Sequence, residues 1–504
     1  MTMMRINAPS TVSALLLALA AASASAQTGD ALKLAAERAV SSNPDVAARF
    51  NAYRASIDAV DVARAAYRPR VDVTASVGHD ADRITSRSPE SQSLSRNGVA
   101  LNVTQLLWDG LGTRNEVSRL GHDKLTRYFE LLDVTEQTAL EAARAHYDVQ
   151  RFRRLVALAE DNYVQHKYAS LQIQSRFKAG VGRGVDLEQA NARLALAESN
   201  LTTEIANLHD VTARYQRVVG EAPPNTAAAA AAKSLSNGVP PNAEAVVATA
   251  IRQSAGVSAG IEGLRAARSS AESRQSAFQP RVEARLRSGG GNNFDGVRDQ
   301  KRDSSAEIVL NWNLYNGGAD QARVRQQLNV VNQAGDLRDK ACRDVRQTSV
   351  IAYNDTRKLV EQLQFLDRNT LAIEKARDAY RQQFDIGQRS LLDLLNSENE
   401  VYTAKRAYAN AEVDLGIAYA RTHAAMNQLT SQLGIARVDS VAAEASGWTM
   451  GEDAPQRCPV LVAEATGVDK AALDVRARRI SASVPPLAAP VPAPVPPAAP
   501  TRKP

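Results

Sequence analysis

With 504 residues and 61 Lys and Arg against 55 Asp and Glu, the chain is long and nearly charge-balanced, at +6. Without a basic-aromatic cluster that small excess excludes a nucleic-acid partner. An aromatic content of 5%, with Ala, Gln, Arg, Glu and Leu dominant, argues against thick globular cores and for long helices packed through thin seams.

Residues 1–26 read as a secretory signal. Arg5 supplies the charged start, Val12 to Ala22 the apolar run, and Ala24-Ser25-Ala26 the small-residue site before Gln27. No cysteine follows that site, so acylation is not expected. The remainder reads as a first repeat over 27–222, a linker over 223–242, a second repeat over 243–433, a tail over 434–483 and a Pro- and Ala-rich extended end over 484–504.

The repeat rests on three landmarks in one order. Tyr67-Arg68-Pro69-Arg70 returns as Phe278-Gln279-Pro280-Arg281, Leu107-Trp108-Asp109-Gly110 as Leu314-Tyr315-Asn316-Gly317, and Phe177-Lys178-Ala179-Gly180 as Phe384-Asp385-Ile386-Gly387. The unit is about 200 residues long, far beyond a solenoid repeat.

Residues 31–66 read as helix interrupted at Ser42-Asn43-Pro44-Asp45, where Ser42 or Asn43 can cap and Pro44 suits a first turn. Pro69 stops it. From Arg70 to Val77 apolar and polar residues alternate, a strand. A polar segment, Gly78 to Asn97, is expected as the hairpin tip, and a second strand runs to Trp108, where Asp109-Gly110 ends it. The second copy gives strands from Arg281 and up to Leu314, with Gly289 to Asn293 in the tip. Each hairpin, about 70–108 and about 281–315, precedes a stretch with no proline and almost no glycine, 112–176 or 319–384. As one helix each would reach roughly 100 Å. Glycine-bearing turns, Ala179 to Gly182 and Ile386 to Gln388, lead into returning helices over 185–219 and 390–432.

Strands with one apolar and one charged face suit a membrane barrel, apolar side to lipid and Arg281, Glu283, Arg285 and Arg287 to a water-filled lumen. Tyr67, Trp108, Phe278, Trp312 and Tyr315 are the candidate interface aromatics, expected at both membrane faces. Four strands cannot close, and lipid tolerates no free edge, so closure needs several chains; a homotrimer gives twelve strands. The fold class expected is an α+β membrane protein: a trimeric outer-membrane β-barrel continued by a long periplasmic α-helical tunnel, with internal duplication. A soluble periplasmic coiled coil with two hairpins is the alternative.

These features together resemble the TolC family of outer-membrane channel-tunnels over residues 31–433. The resemblance implies an outer-membrane trimer that docks a periplasmic membrane-fusion adaptor and an inner-membrane pump. The segment Ala341 to Gln347, with Ala352-Tyr353-Asn354-Asp355 beyond it, is similar to the branch serving type I secretion, with an ABC transporter and an exported protein as partners. A drug or small-molecule efflux duct, with a proton-driven pump, is the alternative. By the same resemblance Arg389, Asp393, Asn396, Asp186 and Phe384 form the tunnel gate. Arg389 would tie to Asp186 and Asp393 would form a carboxylate ring; Asn396 stands where a second aspartate is common and Phe384 where a tyrosine occurs. A ring with fewer charges implies weak cation block and an easily opened tip. Gly180, Val181, Gly182, Ile386 and Gly387 would be adaptor-docking tips. Two cysteines in an exported chain permit a disulfide or stay as unrelated thiols; the resemblance puts Cys342 mid-tube and Cys458 in the encircling tail, which implies that they pair. The six histidines show no ligand spacing and no Walker loop is present, so neither a metal, a cofactor nor an enzyme activity is expected.

Overall fold

The computed structural model describes residues 31–225, 235–294, 298–299, 302–435, 447–462 and 467–483. The signal reading, the alanine run of the linker, the start of the tail and the proline-rich end lie wholly or partly outside these residues. The chain divides into two units, up to Val462 and from Ala463. In the second unit the described element is a helix, Lys470–Ser483.

The first unit opens with helix α1 (31–42) and helix α2 (Pro44–Ala65). Asn43 is the cap between them. Its side chain accepts the Asp45 N–H at 2.8 Å, and Pro44 takes the first turn, where no N–H is needed. Strands β1 (Arg70–Arg83) and β2 (Ser91–Trp108) follow, then helices α3 (Gly112–Lys178) and α4 (Gly184–Val219). The second half has helices α5 (Ala243–Gln253) and α6 (Ala255–Gln275), strands β3 (Arg281–Gly290) and β4 (Asp303–Asn311), and helices α7 (Ala319–Asp385) and α8 (Leu391–Ala425). Helices α3 and α7 are both 67 residues long.

The four strands form one antiparallel sheet in the order β1-β2-β3-β4. Its registers sort the side chains cleanly. Val73 pairs with Leu101, Val103 with both Val71 and Leu286, and Leu286 with Ala306, on one face. Arg70, Thr104, Arg285 and Glu307 pair in series on the other. A bulge between Leu106 and Trp108 returns Trp108 to the apolar face opposite Val282. That face is bare: Val73 is 70% exposed, Val77 89% and Ile308 73%. β1 and β4 are unpaired edges of this chain's sheet.

Three features of the sheet and its ends depart from the sequence reading. The first hairpin is taller than expected, because β1 and β2 pair out to Arg83 opposite Ser91 and leave only a short tip. Ion pairs hold that extension: Arg87 to Asp82 at 2.6 Å, Arg83 to Glu90 at 3.0 Å and Arg96 to Asp80 at 3.3 Å. Conversely β4 stops at Asn311, short of Leu314. Its partner strand starts at Arg281, after Pro280, which has no N–H to offer. Beyond it Trp312 donates to the Phe278 carbonyl at 3.1 Å, and Asn316 to Asp320 at 2.6 Å at the start of α7. The interface aromatics, finally, do not flank both membrane faces. Tyr67 and Phe278 precede β1 and β3, while Trp108, Trp312 and Tyr315 close or follow β2 and β4, so all five stand at the helix-bearing end. Antiparallel strands whose two ends both join helices on one side bring every such landmark to that side.

The returning helix also breaks earlier than 432. Asn427 turns left-handed at φ 56°, and the short helix α9 (Leu429–Gln432) starts against the buried carboxylate of Glu136, which accepts the Leu429 N–H at 3.1 Å. Around it lies the main core. Leu32, Ala36 and Ala39 of α1, Ala139, Ala142 and Ala143 of α3, and Val211, Tyr215 and Val218 of α4 are all buried. Alanine seams let the helix axes approach closely, which is how a chain poor in aromatics buries a core.

Candidate functional site

The ends of the two helical hairpins are packed together. α3 ends in a turn where Gly180 takes φ 77°, and Val181 N–H returns to the Arg176 carbonyl at 3.1 Å. α7 ends in the same way, with Gly387 at φ 78° and Gln388 N–H on the Gln383 carbonyl at 2.8 Å. These six-to-one bonds with a left-handed glycine are Schellman caps. Each leaves one apolar side chain standing in solvent, Val181 at 79% exposure and Ile386 at 69%.

Behind the turns a small core joins both hairpins: Ala169 and Ile173 of α3, Ala190 of α4, Phe384 of α7, and Leu391, Leu394 and Leu395 of α8. Phe384 is therefore a core residue here. Arg176 lies over its ring, 4.7 Å from the centroid, and ties α3 to α7.

Arg389 is satisfied within its own hairpin. It donates to Gln383 at 3.0 Å, stacks over Tyr380 at 5.0 Å and lies 3.7 Å from Asp393. Asp393 is the third residue of α8. Its N–H donates to the Ser390 hydroxyl oxygen at 3.2 Å, and that hydroxyl donates to its carboxylate at 2.9 Å. A carboxylate there complements the positive end of the helix dipole. Asp186 lies in the first turn of α4 and forms no ion pair with another described residue. Within the chain, then, Arg389 and Asp393 come together and Asp186 stands apart. Asn396 accepts a hydrogen bond from Arg193 of α4 at 2.9 Å, which ties α4 to α8. Asp393 and Asn396 are half-buried and Glu400 is exposed, whereas Leu394, Leu395, Ser397 and Glu398 between them are buried, so the first three share the open face of α8.

Glu398 is the residue that sequence reasoning passed over. It is buried, 3.1 Å from Arg377 and 2.5 Å from Arg381, and Arg381 also donates to Gln165 of α3 at 2.6 Å. One carboxylate thus clamps α7, α8 and α3. Burial pulls the Arg377 guanidinium down, but Glu398 and Asp378 outweigh that and hold it above its ordinary value. The signal was available: Glu398 falls in register with Leu391, Leu394, Val401 and Tyr402 on the buried face of α8, where a carboxylate requires cations. Farther along, Arg406 pairs with buried Glu204 and Arg151 with Asp414 at 2.5 Å, joining α8 to α4 and α3.

Higher in the helical region Cys342 and Cys458 are joined by a disulfide, with Cα atoms 5.5 Å apart, inside a cluster with Val247, Ile251, Val257 and Ile261. Trp448 packs on Phe129 at 4.8 Å and donates from Nε1 to Glu262 at 2.8 Å. Glu262 is fully buried and also meets His122 at 2.7 Å and Arg265 at 2.5 Å. Burial pushes its pKa up, but those hydrogen bonds outweigh it and hold the carboxyl below its ordinary value. Among the described residues no helix is long and apolar enough to cross a membrane, and no cluster of His, Cys, Asp or Glu could hold a metal ion.

The profile of the outer membrane efflux protein family matches residues 35–220 and 227–428. The chain is 25% identical over 395 residues to the outer membrane efflux protein BepC of Brucella suis, covering 77% of this chain and 84% of that one. It is 24% identical over 409 residues to the outer membrane protein TolC of Vibrio cholerae, covering 75% and 86%. Among solved structures, the outer-membrane channel OprN superposes with a TM-score of 0.71 at 19% identity, over 80% of this chain and 91% of that one.

Proposed function

The chain belongs to the outer membrane efflux protein family, and on that premise we propose that three copies close their sheets edge to edge into the exit duct of a tripartite exporter. It is an outer-membrane channel with an α+β tunnel-barrel fold. The observation that carries the proposal is the sheet itself: a continuous apolar face left bare, two unpaired edges, and every strand entering and leaving through long helices at one end. That face is suited to lipid and not to water, and the edges are stable in lipid only when paired. The glycine turns with exposed Val181 and Ile386 are the proposed docking tips for a periplasmic adaptor. Arg389, Asp393 and Asn396, on or beside the open face of α8, are the proposed gate, with Asp186 free to receive a neighbouring chain's cation. The channel does no chemistry on its cargo, and an inner-membrane pump supplies the energy.

Type I protein secretion is the cargo class we favour, on the segment from Ala341 to Asp355, where Cys342 anchors residues of the tail and Tyr353 donates to the Pro241 carbonyl at 2.5 Å. Small-molecule efflux is the second reading, favoured by the similarity to BepC. Deleting the gene and comparing the secreted proteome and drug susceptibility with the parent separates them. Loss of one large secreted protein at unchanged drug tolerance supports secretion. Hypersensitivity with an intact secretome refutes it in favour of efflux. Heat-resistant trimers in outer-membrane fractions test the assembly; a monomer in the soluble periplasm would refute it.

A further inference from the structure

The loop after β3 does not simply leave the sheet. Asn97 N–H donates to the Asn292 carbonyl at 3.0 Å, Asn292 N–H to Asn97 Oδ1 at 3.1 Å, and Asn293 Nδ2 to the Ser95 carbonyl at 2.8 Å. Three hydrogen bonds thus pull the segment back over β2, and Asn293, at φ 47°, turns the next residue inward. That residue is Phe294. It is 5% exposed, although it belongs to a loop on the outer side of a thin sheet.

Its seat is made of missing side chains. A Cβ at Gly98 would lie 2.1 Å from Phe294 Cδ2, and one at Gly289 would lie 2.7 Å from Cζ. Gly289 pairs with Ala100, so the two glycines and Ala100 share a face, and Ala100 is itself buried beneath the ring. Arg287, on that face opposite Asn102, lies over the ring, 5.3 Å from its centroid. The face is the charged one, opposite Val99, Leu101 and Leu286. The first hairpin contributes Gly98 to this seat but places no aromatic of its own there.

We infer that Phe294 is a permeation-determining residue: an aromatic side chain seated on the lumenal face at the outer end of the barrel, three to a channel, that narrows the mouth. The inference rests on the closed-barrel reading above. A twelve-stranded barrel lies between the small barrels filled by side chains and the wide porins that hold a water channel. The seven side-chain carbons of Phe294 from each chain are therefore a substantial part of such an opening, and pore selectivity follows from its constrictions and lining groups. The covered ring acts through the volume it fills, with the Arg287 guanidinium over it, so the mouth excludes by size and repels bulky hydrophilic cations.

The test uses purified full-length trimers in planar bilayers, with Phe294→Ala and Gly98→Val. The second leaves the ring intact but fills its seat. Phe294→Ala is expected to raise single-channel conductance and to sensitise cells to a large hydrophilic glycopeptide antibiotic added outside, whereas Gly98→Val, which lifts the ring off the sheet into the lumen, is expected to lower conductance. Assembled trimers of both variants with wild-type conductance would overturn the inference and leave the barrel reading intact. A wild-type protein that forms no conducting trimer would overturn both. As a measurement that needs no cavity or clash, Phe294→Cys treated from the outer side with a bulky membrane-impermeant thiol reagent should lose conductance; full labelling without loss counts against the proposal.

Discussion

Phe384→Ala should loosen the tip without loosening the rest of the tube. The side chain is 4% exposed and packs on Ile173, Ala190, Leu391, Leu394 and Leu395, with Arg176 over its ring. Truncating a buried phenylalanine costs about 3–5 kcal/mol, and losing a partly desolvated cation–π contact adds about 0.5–1 kcal/mol. The tip cluster shares no residue with the main core, so the loss falls on local opening of the two hairpin ends. At about 1.4 kcal/mol per factor of ten, the opened tip becomes roughly a thousandfold more populated. Hydrogen exchange followed by mass spectrometry on trimers should show that acceleration for amides near 380–395, and unchanged protection near Ala139 to Ala143. Less than about tenfold acceleration at the tip, or equal loss in both regions, would refute the assignment of Phe384 as the tip's core residue.

Other expectations follow from the same geometry. Divalent block of the channel should be weak and should vanish in Asp393→Ala, because Asn396 stands one turn along from Asp393 where a second carboxylate would strengthen the ring; strong block that survives the substitution counts against a ring at Asp393. Glu398→Gln leaves Arg377 and Arg381 facing an uncharged amide and should cost about 3 kcal/mol, read as a fall in Tm that Asp378→Asn does not reproduce. Non-reducing peptide mapping should recover a Cys342–Cys458 peptide, and two free thiols would refute the bridge; closing a loop with a sequence separation of 116 is worth about 4–5 kcal/mol in the chain-entropy account, so Cys458→Ser should lower Tm. Burial, reinforced by Arg153, lowers the His146 pKa from 6.5 to about 4. The unfolded chain therefore binds a proton that the folded one refuses. Stability present above pH 6.5 is lost as pH falls towards 4, by up to about 3 kcal/mol, and His146→Gln should flatten that part of the Tm profile.

Much of the architecture was legible because its signals are local and repeated. Alternation at Val71, Val73 and Ala75 sets a strand, a proline-free stretch sets each long helix, and Gly180 and Gly387 set the turns. What escaped depends on residues far apart in sequence. Nothing near Asn427 announces that Glu136 of another helix will cap α9. The role of Phe384 depends on whether α3 reaches it, and Arg176 does. Arg389 could be assigned a partner on α4 by resemblance, but Gln383, Tyr380 and Asp393 are nearer along its own hairpin. Gly98 lies just past the segment expected as a polar tip, and nothing beside it marks a role; only the pairing of β2 with β3 shows it as half of the Phe294 seat.

The two hairpins differ in height, and that difference shapes what the cell shows to its surroundings. β1 and β2 have 14 and 18 residues against 10 and 9 for β3 and β4. At about 3.3 Å per residue the shorter pair only just crosses the hydrocarbon band when tilted, so the excess of the taller pair stands outside it. Around a trimer, posts alternate with notches. Among the described residues the ion-paired extension from Asp80 to Arg96 stands farthest from the helical end. Two copies of one ancestral hairpin thus do different work, the first built to stand in water on its own ion pairs, the second sized to the membrane.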